Sequence, residues 1–182
     1  MGKNVLILTG SPRRNGNSSA LAASFSGAAE RCGHNVKTID AVELGALGCR
    51  GCGACYKTGK PCAFDNPFND IADDILAADV LVFSMPVYWY TIASQIKAVI
   101  DNLYCLYHGK RDELPGKQFV LLCTAGEDEP TIFDGVLFAC RRTAALCGWD
   151  WFGEVLVGGV YDEGEIGGTD GPEKAEALAE KL

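Results

Sequence analysis

The chain has 182 residues, 48% of them apolar, which suffices for one compact domain with a full core, so we expect a single domain over residues 1–182. The net charge is −8 and Lys and Arg do not cluster, which argues against nucleic acid or an anionic membrane surface as a partner. No apolar run approaches the roughly 18 residues of a membrane span, and the first residues lead straight into a strand pattern, so we expect a soluble cytoplasmic protein.

A polar turn lies between the first two predicted elements. Residues 4–9 form an apolar run of strand length, and residues 18–32 carry apolar residues at helical spacing before Gly33 ends the helix. A buried strand that turns through glycines into a helix leaves backbone N–H groups free, and the helix dipole there favours an anion. The turn at 9–19 therefore predicts a phosphate site.

The side chains of this turn favour the same interpretation. Short polar donors come from four residues, Ser11, Asn17, Ser18 and Ser19. Either Arg13 or Arg14 adds a fork-shaped cation that suits phosphate oxygens. The turn fits neither the Walker motif nor the usual dinucleotide motif, so a smaller phosphate ester is the favoured ligand. The alternative is an ordinary turn in which a Ser or Asn side chain merely caps the helix.

Strands and helices alternate along the rest of the chain. Short apolar runs predict strands at 36–39, 80–83, 119–122 and 154–157. Helical spacing predicts helices that begin at Pro67, near Ile96, near Phe133 and at Pro172. Apolar strands that alternate with helices predict an α/β fold, a doubly wound five-stranded parallel sheet of order 2-1-3-4-5 with helices on both faces. In this order the loops after strands one, three and four meet at one edge, where we expect the ligand.

Two of these loops have the composition of a site for a flat ring. Residues 84–91 concentrate aromatic side chains in a loop whose backbone is fixed by Pro86, and the N–H groups of Tyr88 and Trp89 can meet polar ring edges. Residues 123–128 form a turn of small residues that lets backbone approach the other edge. Alternatively, the aromatic residues close the end of the sheet or contact another subunit.

Taken together, these motifs resemble those of a known family. The chain resembles the flavodoxin-like NAD(P)H-dependent FMN reductases, especially the branch with the iron-sulfur flavoproteins, in Gly10-Ser11-Pro12-Arg13, Gly16-Asn17-Ser18, Pro86-Val87-Tyr88-Trp89-Tyr90 and Gln95-Ile96-Lys97. The resemblance implies a flavodoxin-like fold that binds FMN. It implies phosphate contacts from Ser11, Arg13, Asn17, Ser18 and Ser19. It implies ring contacts from Pro86, Val87, Tyr88, Trp89 and Thr91, with Thr124, Ala125 and Gly126 on the far edge.

The same resemblance implies an enzyme. NAD(P)H would be the co-substrate, flavin N5 would accept the hydride, and electrons would pass to a small acceptor such as a flavin or a quinone. This chemistry requires no protein acid or base, and the sequence offers no clear one. Family members commonly form dimers, so we expect a homodimer or a higher homo-oligomer. The alternative class is a non-enzymatic electron carrier that serves protein partners, among them a ferredoxin-like protein.

Four of the nine cysteines crowd into a Gly/Cys-rich loop at 47–65, with the spacing Cys49-x2-Cys52-x2-Cys55-x6-Cys62. Three thiols at this spacing can wrap one face of a small cluster and the fourth can close it. The spacing resembles that of iron-sulfur flavoproteins, which carry a [4Fe–4S] cluster close to FMN. Structural zinc, unmetallated thiols in a flap or dimer arm, and a redox sensor are the alternatives.

The other five cysteines are scattered among apolar neighbours. They are Cys32, Cys105, Cys123, Cys140 and Cys147. Because the chain has an ample core, we expect all nine cysteines to be reduced. Since a buried free cysteine behaves as a small hydrophobic residue, we expect the scattered five to pack in the core.

Overall fold

The five strands form one sheet in which every neighbouring pair is parallel, and the order β2-β1-β3-β4-β5 confirms the predicted topology. This computed structural model describes residues 2–58 and 60–182. The strands are β1 (Asn4–Thr9), β2 (Asn35–Asp40), β3 (Val80–Pro86), β4 (Gln118–Thr124) and β5 (Asp150–Val157). Because the chain order reverses between β1 and β3, a crevice opens there at the carboxyl edge of the sheet.

Helices cover both faces of this sheet. They are α1 (Asn17–Arg31), α2 (Ala41–Leu44), α3 (Cys55–Thr58), α4 (Ala72–Ala77), α5 (Ser94–Gly109), α6 (Asp134–Cys147) and α7 (Gly171–Ala179). Short 3-10 turns lie at Pro67–Asp70, Pro130–Phe133 and Glu165–Gly168. Within the described ranges, no helix is both long and apolar enough to cross a membrane.

The core has two layers, one on each side of the sheet. On β1, Leu6 and Leu8 belong to the layer under α4, α5 and α6, whereas Val5 and Ile7 belong to the layer under α1 and α7. All four side chains are at most 2% exposed. Successive strand residues point to opposite faces, so a strand covered on both sides is apolar throughout.

Two predicted elements differ from the structure. The strand predicted at 36–39 is the edge strand β2, which is half-exposed and places Lys37 in an ion pair of 2.7 Å with Asp74. An edge strand has one neighbour and needs no continuous apolar run. The helix predicted from Pro67 is broken at Ile71 into a 3-10 turn and α4, although Asn66 caps its start by accepting the Phe68 N–H, as predicted.

Four of the five scattered cysteines are buried, as predicted, namely Cys105, Cys123, Cys140 and Cys147. Burial raises the pKa of the Cys140 thiol to about 12 and that of Cys147 to about 11. The prediction was wrong for Cys32, which is exposed because it lies at the C-terminal end of α1, beyond the apolar face of that helix.

Candidate functional site

The loops that follow β1, β3, β4 and β5 enclose a cavity of about 410 Å³ at the carboxyl edge of the sheet. The cavity brings together eleven of the thirteen residues predicted to contact a cofactor: Ser11, Arg13, Asn17, Ser18, Pro86, Val87, Tyr88, Trp89, Thr124, Ala125 and Gly126. The other two, Ser19 and Thr91, are not among its lining residues. The cavity is also lined by six residues outside those thirteen, namely Gly16, Tyr90, Glu127, Ile132, Val160 and Tyr161.

The first loop makes a tight connection from β1 to α1. The N–H of Gly10 donates to the Ser84 carbonyl at 2.8 Å, and a Cβ on Gly10 would lie 2.5 Å from the Ile96 side chain. The residue that precedes α1 is Gly16, so no side chain caps this helix. The alternative that a Ser or Asn merely caps the helix was therefore wrong. The N-terminal end of α1 thus has no side-chain cap and lies at the cavity through Gly16, Asn17 and Ser18, a position where an anion is favoured.

The two arginines of this loop have different surroundings. Arg14 forms an ion pair of 2.8 Å with Glu43 and does not line the cavity. Arg13 lines the cavity, where its guanidinium donates to the Tyr161 carbonyl at 2.7 Å and lies 5.5 Å from the centre of the Tyr161 ring. A guanidinium has five N–H donors, so Arg13 retains donors for an anionic ligand.

Asn17 ties the first loop to the loop after β5. Its side-chain N–H donates to the Asp162 carbonyl at 2.9 Å, and its side-chain oxygen accepts the Ile166 N–H at 3.2 Å. Both ends of the Asn17 amide are thus engaged within the protein. The loop after β5 was not predicted to line the cavity. It nevertheless follows a parallel strand, so it opens at the same edge of the sheet as the other loops.

The aromatic loop after β3 makes a tight two-residue turn. Tyr88 and Thr91 exchange two backbone hydrogen bonds of 3.2 and 3.1 Å, and between them Trp89 and Tyr90 adopt φ values of 49° and 61°. Both values lie in the left-handed region, which costs a non-glycine residue about 1–2 kcal/mol. The turn leaves the Trp89 side chain 92% exposed at the mouth of the cavity.

The loops after β4 and β5 are joined along the far side of the cavity. The N–H of Ala125 donates to the Val157 carbonyl at 2.9 Å, and the N–H of Val160 returns a bond of 3.0 Å to the Ala125 carbonyl. Gly126 packs against the Tyr161 ring so closely that a Cβ there would lie 2.9 Å from a ring carbon. Two backbone hydrogen bonds thus join the two loops, and a side chain at Gly126 would require the Tyr161 ring to shift.

The family of this chain follows from comparison with known proteins. Residues 3–182 match the model of the Flavodoxin_2 family, described as having a flavodoxin-like fold. The chain belongs to the Flavodoxin_2 family. A curated relative is the "Iron-sulfur flavoprotein" of Archaeoglobus fulgidus, which is 28% identical over 96% of this chain and 76% of the relative.

Solved structures resemble this Flavodoxin_2 chain over nearly its whole length. An FMN-dependent NADH-azoreductase from Bacillus anthracis, solved in complex with FMN, aligns with a TM-score of 0.75 and 15% identity over 98% of this chain and 99% of its own. An NAD(P)H:quinone oxidoreductase from Methanothermobacter marburgensis aligns with a TM-score of 0.71 and 18% identity over 100% and 98%. At these identities the likeness shows the shared fold.

The Cys-rich loop of this Flavodoxin_2 chain encloses a second, smaller cavity of about 60 Å³. Its lining includes all four loop thiols, Cys49, Cys52, Cys55 and Cys62, together with Cys105 of α5. All are free thiols. Burial, with repulsion from the neighbouring thiols, raises the pKa of Cys55. Across the described ranges, no three Cys, His, Asp or Glu residues are gathered closely enough to hold a metal ion.

A buried amide network fixes both ends of this loop. Asn66 accepts the Leu47 N–H and donates to the Leu47 carbonyl, both at 3.1 Å, and also donates to the Asn102 side chain at 3.1 Å. Asn102, on α5, donates to the Leu47 carbonyl at 2.6 Å. Four thiols are the donor set of an iron-sulfur cluster, but their observed spacing does not bring three of them together, and the network holds their loop against the helix.

Proposed function

We propose that this protein is an FMN-dependent oxidoreductase that passes electrons from NAD(P)H to a small acceptor such as a flavin or a quinone. The observation that carries the proposal is the cavity at the sheet edge, which has an anion-binding loop at one end and an aromatic turn at the other. This arrangement matches the two chemically different ends of a flavin nucleotide. The flavodoxin-like family supports it, as does the structural likeness to an FMN-dependent NADH-azoreductase and an NAD(P)H:quinone oxidoreductase.

At the phosphate end, the first-turn N–H groups of α1 and the side chain of Ser18 would bind the FMN phosphate. Arg13 would add a charge-assisted hydrogen bond, since its guanidinium keeps free donors beside its bond to Tyr161. Ser11 is less free, because its hydroxyl oxygen lies 3.1 Å from the Arg13 carbonyl and 3.2 Å from the Arg13 N–H. We assign Asn17 to positioning this end through the loop after β5.

At the ring end, the turn at 86–90 and the wall at 124–126 would hold the isoalloxazine between them. The Val87 N–H already donates to the Thr124 carbonyl at 2.8 Å, which fixes the spacing of these two loops. The Tyr88 N–H is also used within the turn. No described residue accepts the backbone N–H of Trp89, so this donor would bind the polar edge of the ring.

When bound, FMN supplies the redox chemistry by accepting a hydride from the nicotinamide and passing two electrons onward. With a quinone as acceptor, NAD(P)H, one proton and the quinone would give NAD(P)⁺ and the hydroquinone. The residues of this chain bind the phosphate, orient the ring and shield it from water. We assign no catalytic acid or base to the protein.

The assembly and location follow the same proposal. The exposed Trp89 and the exposed Phe138 of α6 present apolar surface near the cavity mouth and on the adjacent helix, which supports a homodimer. Helix α6 contacts the aromatic turn at Gly135, because a Cβ on Gly135 would overlap the Tyr90 carbonyl. Nine free thiols favour a reducing compartment, and we propose the cytoplasm.

A second function rests on the Cys-rich loop. We propose that Cys49, Cys52, Cys55 and Cys62 hold a [4Fe–4S] cluster, because all four line one cavity and their spacing along the chain resembles that of iron-sulfur flavoproteins; the thiols would have to draw together to bind it. A chain with both groups could act as an electron carrier between proteins, including a ferredoxin-like partner, instead of turning over a small acceptor. Zinc at these thiols would leave only the flavin as a redox centre.

One set of measurements separates these functions. Protein purified without oxygen is assayed for FMN, iron and zinc, and its absorbance is followed on reduction. FMN with sustained oxidation of NADH or NADPH by a quinone supports the oxidoreductase. FMN with about four irons per chain and no turnover with either nicotinamide supports the carrier. Failure to bind FMN after reconstitution contradicts both functions.

A further inference from the structure

The cavity has one positive and one negative end. Among the described residues that line it, Arg13 and Glu127 alone carry a formal charge. Arg13 lies at the end assigned above to the phosphate, and Glu127 follows the wall assigned to the ring. Once a phosphate neutralises Arg13, the ring end retains an uncompensated negative charge.

Glu127 is held in place at this end. Its side chain accepts a hydrogen bond of 3.4 Å from the Tyr90 hydroxyl, so the carboxylate bridges the two loops that flank the ring end. Its backbone carbonyl accepts the Gly159 N–H at 3.0 Å, which anchors the residue to the loop after β5. The carboxylate therefore lies at the end of the cavity that is assigned above to the ring.

The Glu127 carboxylate forms no ion pair with a lysine or arginine among the described residues. None of the ion pairs within residues 2–58 and 60–182 includes Glu127 or the adjacent Asp128 and Glu129, and all three are exposed. Asp128 packs against Gly158 and Gly159, close to the same mouth. The negative potential at the entrance therefore adds to that of an already acidic chain.

We propose that Glu127 is a specificity-determining residue, which makes the ring end select uncharged or cationic acceptors and discriminate against anionic ones. The inference rests on the function proposed above and specifies its substrate class. At a solvent-exposed mouth, one unit of charge a few ångströms from the acceptor changes its affinity by about 3- to 10-fold, and salt screens the effect.

The test uses three fully alkylated benzoquinones that share a ring and differ only in whether the side chain ends in a sulfonate, a hydroxyl or a trimethylammonium group. Full alkylation blocks addition of thiols to the ring. Each quinone reoxidises FMN-loaded protein that has been photoreduced without oxygen, taking two electrons and two protons to become the hydroquinone. Kd values of the oxidised quinones for oxidised FMN-loaded protein give a readout that needs no turnover.

In the unmodified protein, we expect the order trimethylammonium, then hydroxyl, then sulfonate in both rate and affinity. Glu127→Gln should raise the sulfonate-to-hydroxyl ratio by about 3- to 10-fold and lower the trimethylammonium-to-hydroxyl ratio similarly, with both changes shrinking at about 0.5 M salt. The matched control is Glu180→Gln, which removes one charge from the exposed end of α7 and should leave the ratios unchanged.

Equal ratios in the unmodified protein and Glu127→Gln would overturn the inference, as would an equal response to Glu180→Gln. Photoreduction replaces NAD(P)H in this assay, so its result is separate from the test of the proposed function. A chain that discriminates by charge yet fails to oxidise either nicotinamide would retain the inference and lose the reductase activity.

Discussion

The guanidinium of Arg13 donates a 2.7 Å hydrogen bond to the carbonyl oxygen of Tyr161, a residue that lies 148 positions later in the chain. This bond brings the loop after β5 onto the first loop and fixes the direction of the arginine. It leaves most of the guanidinium donors free. Arg13 is therefore prepared to bind an anion at the end of the cavity.

Arg13→Ala should weaken FMN binding by about 10- to 100-fold, the size of a lost charge-assisted hydrogen bond. The measurement is the Kd of FMN, taken from quenching of its fluorescence on binding. Arg14→Ala is the matched control, because Arg14 pairs with Glu43 outside the cavity and its removal takes away the same charge. Equal losses in the two variants would place the phosphate elsewhere.

The left-handed turn at Trp89 makes a prediction for stability. Trp89→Asn should leave the protein about 1 kcal/mol more stable than Trp89→Ala, because asparagine tolerates a positive φ better than alanine. The indole is 92% exposed, so both variants lose little packing. Urea unfolding gives the two free energies. Equal stabilities would mean that the turn carries no strain at this residue.

The amide network of the Cys-rich loop makes a second prediction for stability. Asn66→Ala should lower the free energy of unfolding by about 2–4 kcal/mol, because it leaves the side-chain oxygen of Asn102 and the N–H of Phe68, both buried, without the Asn66 partner. Asn15→Ala is the control, since Asn15 is exposed in the first loop. Chemical denaturation gives the free energy of unfolding of both variants. A similarly small loss in Asn66→Ala and Asn15→Ala would show that the network does not stabilise the fold.

The buried thiols predict a loss of stability at alkaline pH. Burial in the folded protein raises the pKa of Cys140 from its ordinary value of 9.0 to about 12, so the thiol holds its proton where the unfolded chain releases it. Stability is then complete below about pH 9 and falls by about 1.4 kcal/mol per pH unit per thiol as the pH rises toward 12.

Cys140→Ala should reduce this fall by about 2 kcal/mol between about pH 9 and 10.5, as measured by urea unfolding in the presence of a reductant. The control is Val136→Ala, which truncates a buried residue on the same helix and should lower stability equally at both pH values. A pH dependence that is unchanged in Cys140→Ala would contradict the assignment.

The fold and most of the cavity lining were accessible from the sequence because they depend on local patterns. Apolar runs specify the strands, and a strand that ends in glycine, serine or aromatic residues identifies a loop at the carboxyl edge. Local patterns do not distinguish Ser18 from Ser19, although only Ser18 lines the cavity. Successive helix residues are rotated by about 100°, so Ser18 faces the cavity and Ser19 the opposite groove beside Thr9 and Arg14.

Other features depend on contacts between distant segments. The partners of Asn17 lie at Asp162 and Ile166, and nothing in the local pattern of the first loop indicates that its amide is already engaged. Thr91 was predicted to contact the ring, but its backbone pairs with Tyr88 at the base of the turn and it does not line the cavity. The sequence also gives no sign that Cys105 joins the loop thiols, since α5 is far from them along the chain.

The hydrogen bonds of Asn17 to the loop after β5 couple ligand binding at the first loop to the docking of that later loop. A ligand in the cavity favours chains in which residues 158–170 are docked, because Tyr161 lines the cavity and Asp162 accepts a hydrogen bond from Asn17 of the first loop. Occupancy of the cavity therefore suppresses local opening of residues 158–170. Amide hydrogens around Ile166, remote in sequence from any phosphate contact, become reporters of whether the site is filled.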